Sequence, residues 1–99
     1  MTYNFFIIHG SYGFPEENWF PWLKKELEKL GLNVFVPRFP TPENQSLESW
    51  KEVFSEFEDK VSKDSIFVGH SLGPAFILNI LEQKKAAAAY FIAPFISSL

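Results

Sequence analysis

Ser65-Ile66-Phe67-Val68-Gly69-His70-Ser71-Leu72-Gly73 is the stretch on which the fold turns. Its first four residues are mostly apolar, β-branched or aromatic, the composition of a buried strand. From Leu72 to Leu81 nearly every residue is apolar, which predicts a helix buried on most sides. Between the two lies Gly69-His70-Ser71-Leu72-Gly73, of the form G-x-S-x-G. So short a strand-to-helix turn pushes the Ser71 hydroxyl above the sheet in a strained backbone conformation. Side chains two residues before and two after would meet neighbouring backbone, so Gly69 and Gly73 are required. The helix start behind Ser71 brings free amides and a positive dipole end. A chain of this composition would contain the pattern by chance only about 0.02 times. Ser71 is therefore a candidate nucleophile; the competing reading is a capping serine in a tight turn.

Outward from this point the chain alternates strand and helix signals, with no repeat and no linker. Tyr3 to Ile8 is a first strand, closed by His9-Gly10. From Trp19 to Leu30, Trp19, Trp22, Leu23, Leu27 and Leu30 recur at helical spacing, with lysines and glutamates between. Asn18 suits the N-cap of this helix, Pro21 its first turn and Gly31 its C-terminal stop. Asn33 to Pro37 is a second strand, and the proline-bearing segment Arg38 to Gln45 is a loop. Ser46 caps a second helix with Leu47, Trp50, Phe54, Phe57 and Val61 on one face. Its acidic residues belong to a solvated back. Ala86 to Ile92 is a fourth strand.

The pattern β-α-β-α-β-α-β, with strands apolar on both faces, predicts a three-layer α/β/α fold around a parallel sheet. With right-handed crossovers and strand order 2-1-3-4, the loops after strands one and three meet at one crevice.

The loop after strand one, His9-Gly10-Ser11-Tyr12-Gly13, carries two glycines that permit close approach of backbone to a bound group. Acyl transfer needs two donors aimed at a developing oxyanion. The backbone amide of Leu72 would be one and that of Ser11 the other, with Tyr12 as second choice. A phosphate cradle competes for this loop, but the Lys and Ser/Thr of a P-loop are missing. A plain strand-to-helix turn is the simplest alternative.

Composition bounds the partners. The 99 residues make one domain at most, and twelve Phe, three Trp and three Tyr imply a substantial core. A net charge of −3 speaks against a nucleic-acid or anionic-membrane surface. There is no cysteine, hence no disulfide, thiolate metal site or Cys nucleophile. No apolar run reaches the roughly 18 residues of a membrane span, and no secretory signal is legible at the N-terminus. A cytoplasmic protein is expected.

Phe6-Ile7-Ile8-His9-Gly10, Trp19-Phe20-Pro21-Trp22-Leu23, Val36-Pro37-Arg38-Phe39-Pro40, Leu47-Glu48-Ser49-Trp50 and Ile66 to Gly73 together resemble the α/β-hydrolase superfamily. More narrowly, they are similar to small serine hydrolases of the YdeN and retinoblastoma-binding protein 9 type. The resemblance implies a Ser–Asp–His triad and hydrolysis of a small acyl ester or amide without a cofactor. It also places the acid and the histidine after the elbow. Here 26 residues follow Gly73, with no His or Asp among them. Residues 1–99 are thus expected to be the N-terminal part of a hydrolase domain, weakly active or inactive alone. His9 and His70 are expected to serve packing rather than base catalysis. A non-catalytic fragment that binds a partner is the alternative. In either case the fourth strand is expected to leave an apolar edge through which the chain self-associates.

Overall fold

The computed structural model describes residues 3–17 and 19–92. Its elements are β1 (Asn4–Ile8), α1 (Phe20–Lys29), β2 (Asn33–Phe35), α2 (Leu47–Phe54), a 3₁₀ segment (Ser55–Lys60), β3 (Ile66–His70), α3 (Gly73–Leu81) and β4 (Ala88–Ile92). The strands form one parallel sheet in the order β2-β1-β3-β4. The three-layer arrangement expected from the alternation is the one observed. Crossover handedness assigns the layers. The chain steps from β1 to β2 in one direction and from β2 to β3 in the other. Right-handed connections therefore put α1 on one face and α2 and α3 on the opposite one.

The core follows from the pleat. Phe5 and Ile7 point to the α1 side and are buried with Phe20, Val34 and Val68. Phe6 and Ile8 point the other way, into a larger cluster with Phe39, Trp50, Phe54, Phe67, Phe76 and Ile77. Rings do much of the filling there. Phe6 stacks on Phe67 at 5.0 Å and on Phe35 at 5.4 Å between centroids. Strand β1 is thus apolar at every central position because both of its faces are covered.

The helix ends are explained locally. Helix α1 starts with Trp19 at the N-cap, without a side-chain cap, and Pro21 in its first turn; Asn18 lies outside the described residues. It ends in a Schellman motif: Gly31 at φ +84° donates to the Glu28 carbonyl, and Leu32 to that of Leu27. Helix α2 opens with a capping box in which Ser46 and Ser49 satisfy each other's backbone amides.

Two expectations are corrected. The second helix does not run on to Val61: it tightens at Ser55 into the 3₁₀ segment, and Val61 is already extended. Phe54 and Phe57 are three residues apart, so the tighter winding keeps both on one side, and Phe57 still packs against the core. Strand β2 stops at Phe35, two residues before Pro37, which has no amide for a ladder. Helix α3 is buried or half-buried along most of its length, as expected, with one open position. Gly73, Pro74, Phe76 and Ile77 are buried, whereas Leu78 is 44% exposed.

Phe6 lies at the centre of the larger cluster with no exposed surface. Phe6→Ala is expected to lower unfolding free energy by about 3–5 kcal/mol, measured from urea midpoints. A loss below about 1 kcal/mol would show that this cluster does not carry the fold.

Candidate active site

Strand β3 ends at His70 and α3 begins at Gly73, so only Ser71 and Leu72 make the turn. Ser71 has φ +57°, in the left-handed region that a non-glycine residue enters at a cost of about 1–3 kcal/mol. Its amide is tied down by donation to the Ile92 carbonyl at 3.2 Å. Packing closes the turn from the other sides. A Cβ at Gly73 would collide with the carbonyl oxygen of Ile8. One at Gly69 would lie 2.6 Å from Ile77 Cδ1 and 2.9 Å from the Pro74 nitrogen. Both glycines of the motif are thus present for want of space.

The same argument joins the two loops. A Cβ at Gly10 would sit 2.7 Å from Ser71 Cβ and 2.9 Å from the Leu72 nitrogen. The end of β1 therefore touches the turn after β3, as the strand order requires. At the start of α3, Pro74 has no amide to offer and Ala75 donates to the Leu72 carbonyl at 3.1 Å. Among the described residues, the amides of Leu72 and Ser11 have no acceptor. The Tyr12 amide differs: it donates to Thr41 Oγ1 at 2.7 Å.

Neither histidine reaches the Ser71 hydroxyl. His9 is fully buried, with Phe39 and Trp50 at its ring edges. The Phe39 amide donates to its Nε2 at 3.0 Å, so Nε2 bears the lone pair. The proton is therefore on Nδ1, which donates to the Gly10 carbonyl at 2.9 Å. Both ring nitrogens are occupied, and the ring fastens the loop after β1 to the one after β2. Burial pushes its pKa below the ordinary value; the Gly10 hydrogen bond acts the other way and is smaller. His70 lies on the opposite face, edge-on to Trp19 and Phe20, with its buried Nδ1 without a partner among the described residues.

The family profile for Serine hydrolase matches residues 5–98. The chain belongs to the serine hydrolase family. The putative hydrolase YdeN of Bacillus subtilis (strain 168) is 33% identical to it over 103 residues, a match spanning 100% of this chain and 54% of YdeN. The crystal structure of the ydeN gene product from B. subtilis superimposes with a TM-score of 0.74 at 34% identity, covering 88% of this chain and 47% of that one. The chain thus spans about half the length of the relatives it matches.

Residues that the sequence did not single out for the site also border it. Thr41 and Gln45 bond to the loop after β1, and Trp50 Nε1 holds the Pro40 carbonyl at 2.9 Å. Only the prolines signalled a shaped loop there; its partners lie about thirty positions away in sequence. Among the described residues there is no cluster of His, Cys, Asp and Glu able to hold a metal. No described helix is long and apolar enough to cross a membrane.

The state of His9 sets a pH dependence. An unfolded His9 takes up a proton near its ordinary value of 6.5, whereas the folded one resists to lower pH. Stability is therefore fully present above that value. It falls with pH from there down to the folded-state value. Between pH 7.5 and 5.5 the urea midpoint of the natural chain should drop, and that of His9→Asn should drop less. Equal drops would show that His9 is not held neutral.

Proposed function

We propose that Ser71 is the nucleophile of an esterase-like hydrolase acting on small acyl esters or amides, without a cofactor. The observation that carries this reading is the strained Ser71 backbone, at φ +57°, wedged against the glycine loop after β1. Strain of this kind persists where surroundings enforce it, and it concentrates at functional sites. In the reaction the Ser71 oxygen attacks the acyl carbon while its proton passes to a base. The carbonyl oxygen becomes an oxyanion, which accepts hydrogen bonds from the amides of Leu72 and Ser11. Collapse expels the alcohol or amine with the proton, and water releases the acid. Tyr12 is the poorer second donor because its amide is already committed to Thr41. Gly10, Gly69 and Gly73 provide the clearance that the turn needs. The base and its carboxylate partner are supplied by residues other than His9 and His70. We place this chemistry in the cytoplasm, without nucleic-acid or membrane partners, in keeping with the net charge of −3.

The test is hydrolysis of p-nitrophenyl acetate by the 99-residue chain and by Ser71→Ala. Serine proteases stripped of triad members keep about 10³–10⁴ over water. This chain should show a weaker rate that disappears in the variant. A rate unchanged by Ser71→Ala would remove the nucleophile assignment. A fast Ser71-dependent rate would mean that the base lies within these residues.

A second reading, as an interaction module, rests on β4. Among the described residues it is an edge strand, and Tyr90, Phe91 and Ile92 are 58%, 39% and 42% exposed. Edges of this kind pair with other chains. We propose that the chain, produced alone, self-associates through β4. Sedimentation velocity should show association growing with concentration and weakened by Phe91→Lys. A monomer at all concentrations would exclude it.

A further inference from the structure

We propose that Thr41 and Gln45 are positioning residues that hold the Gly10–Gly13 turn, and with it the Ser11 amide, in place beside Ser71. The catalytic half of this proposal rests on the reading of Ser11 as an oxyanion donor. The turn is closed by donation from the Gly13 amide to the Gly10 carbonyl at 3.0 Å. Its third residue, Tyr12, has φ +60°. That is the geometry of a type II turn, which ordinarily takes glycine at this position. A tyrosine there is strained, and its side chain is 75% exposed, so burial does not hold it in place. Hydrogen bonds do. The Tyr12 amide donates to Thr41 Oγ1 at 2.7 Å, and the Thr41 hydroxyl donates to Gln45 Oε1 at 2.6 Å. Gln45 Nε2 in turn donates to the Ser11 hydroxyl at 2.9 Å. Two linked side chains thus grip the turn, Thr41 at Tyr12 and Gln45 at Ser11.

The anchor is itself fixed. Gln45 immediately precedes the capping box of α2, whose Ser49 hydroxyl also donates to the Asn44 carbonyl at 2.6 Å. Without the clamp, Tyr12 relieves its strain by going to negative φ. That converts the turn to type I, rotating the Ser11–Tyr12 peptide by roughly 180°. The Ser11 carbonyl then swings to the side from which the Tyr12 amide now points at Thr41. With both central residues released, the Ser11 amide is no longer held at a fixed position beside Ser71, and a donor that is not preorganised stabilises the oxyanion less.

Thr41→Val removes the hydroxyl at nearly constant shape, and Thr41→Ser restores it. In the full chain, Thr41→Val should speed exchange of the Tyr12 amide with water about tenfold and shift its amide–Hα coupling constant. The Ser71-dependent kcat should fall about tenfold with KM within about twofold, since an interaction at the oxyanion acts in the transition state. Thr41→Ser should recover both, and Gln45→Ala should move both in the Thr41→Val direction. An unchanged Tyr12 exchange rate and coupling in Thr41→Val would overturn the clamp. Faster exchange with unchanged kcat would overturn its link to the reaction. If turnover proves independent of Ser71, the hydrolase reading fails separately. The Tyr12 exchange and coupling then decide the clamp alone, their change supporting it and their constancy overturning it.

Discussion

Two strand ends approach so closely that no Cβ fits between them, and the site depends on this contact. Gly10, two residues past the end of β1, faces Ser71 and Leu72, and Gly73 at the start of α3 faces the Ile8 carbonyl. Only parallel neighbours with their carboxyl ends level can bring two such loops together, and β1 and β3 pair in that register from Phe5 with Ile66 to Ile8 with Gly69. The large aromatic cluster beneath, centred on Phe6, Phe67 and Phe76, keeps the strands and α3 from moving apart. Strain at Ser71 is sustainable because backbone and packed core hold this half-buried residue from below.

A second layer of organisation sits on the first. The loop after β2 is stitched to the loop after β1 by His9, which binds the Phe39 amide, and by the Thr41 and Gln45 side chains. Trp50 stacks on Phe39 at 4.5 Å and holds the Pro40 carbonyl, so α2 is part of the same assembly. The neutral state of His9 follows from geometry: an amide donates to one nitrogen and a carbonyl accepts from the other. A protonated ring would turn the Phe39 contact into two donors facing each other.

The legible part of the molecule is the part encoded by neighbours in sequence. Apolar runs at 5–8 and 66–68, the helical spacing from Trp19 to Leu27 and the Ser46 cap each act within a few residues, and so the topology could be read. Gly69-His70-Ser71-Leu72-Gly73 was legible because a steric rule ties residue type to position. The shift to 3₁₀ winding at Ser55 was not, because tertiary packing of Phe57 decides it. Nor were the roles of His9, Thr41 and Gln45. Their partners lie about thirty residues away, and a polar side chain in a loop gives no sign of which distant backbone group it will meet. The exposure of Leu78 likewise depends on what covers α3, which its own composition does not specify.

The Schellman close of α1 gives the loops unequal independence. The turn at Gly31 satisfies its own carbonyls, and no atom of the described residues lies within 4 Å of where a Cβ at Gly31 would stand. That connection is a self-contained module that can be lengthened, cut or exchanged between homologues without news of it reaching Ser71. The loop from Arg38 to Gln45 has no such autonomy, since several of its polar contacts are made to the loop after β1. Divergence in this family should therefore run freely at the first turn, while at the second a change on one side drags its partner residues along.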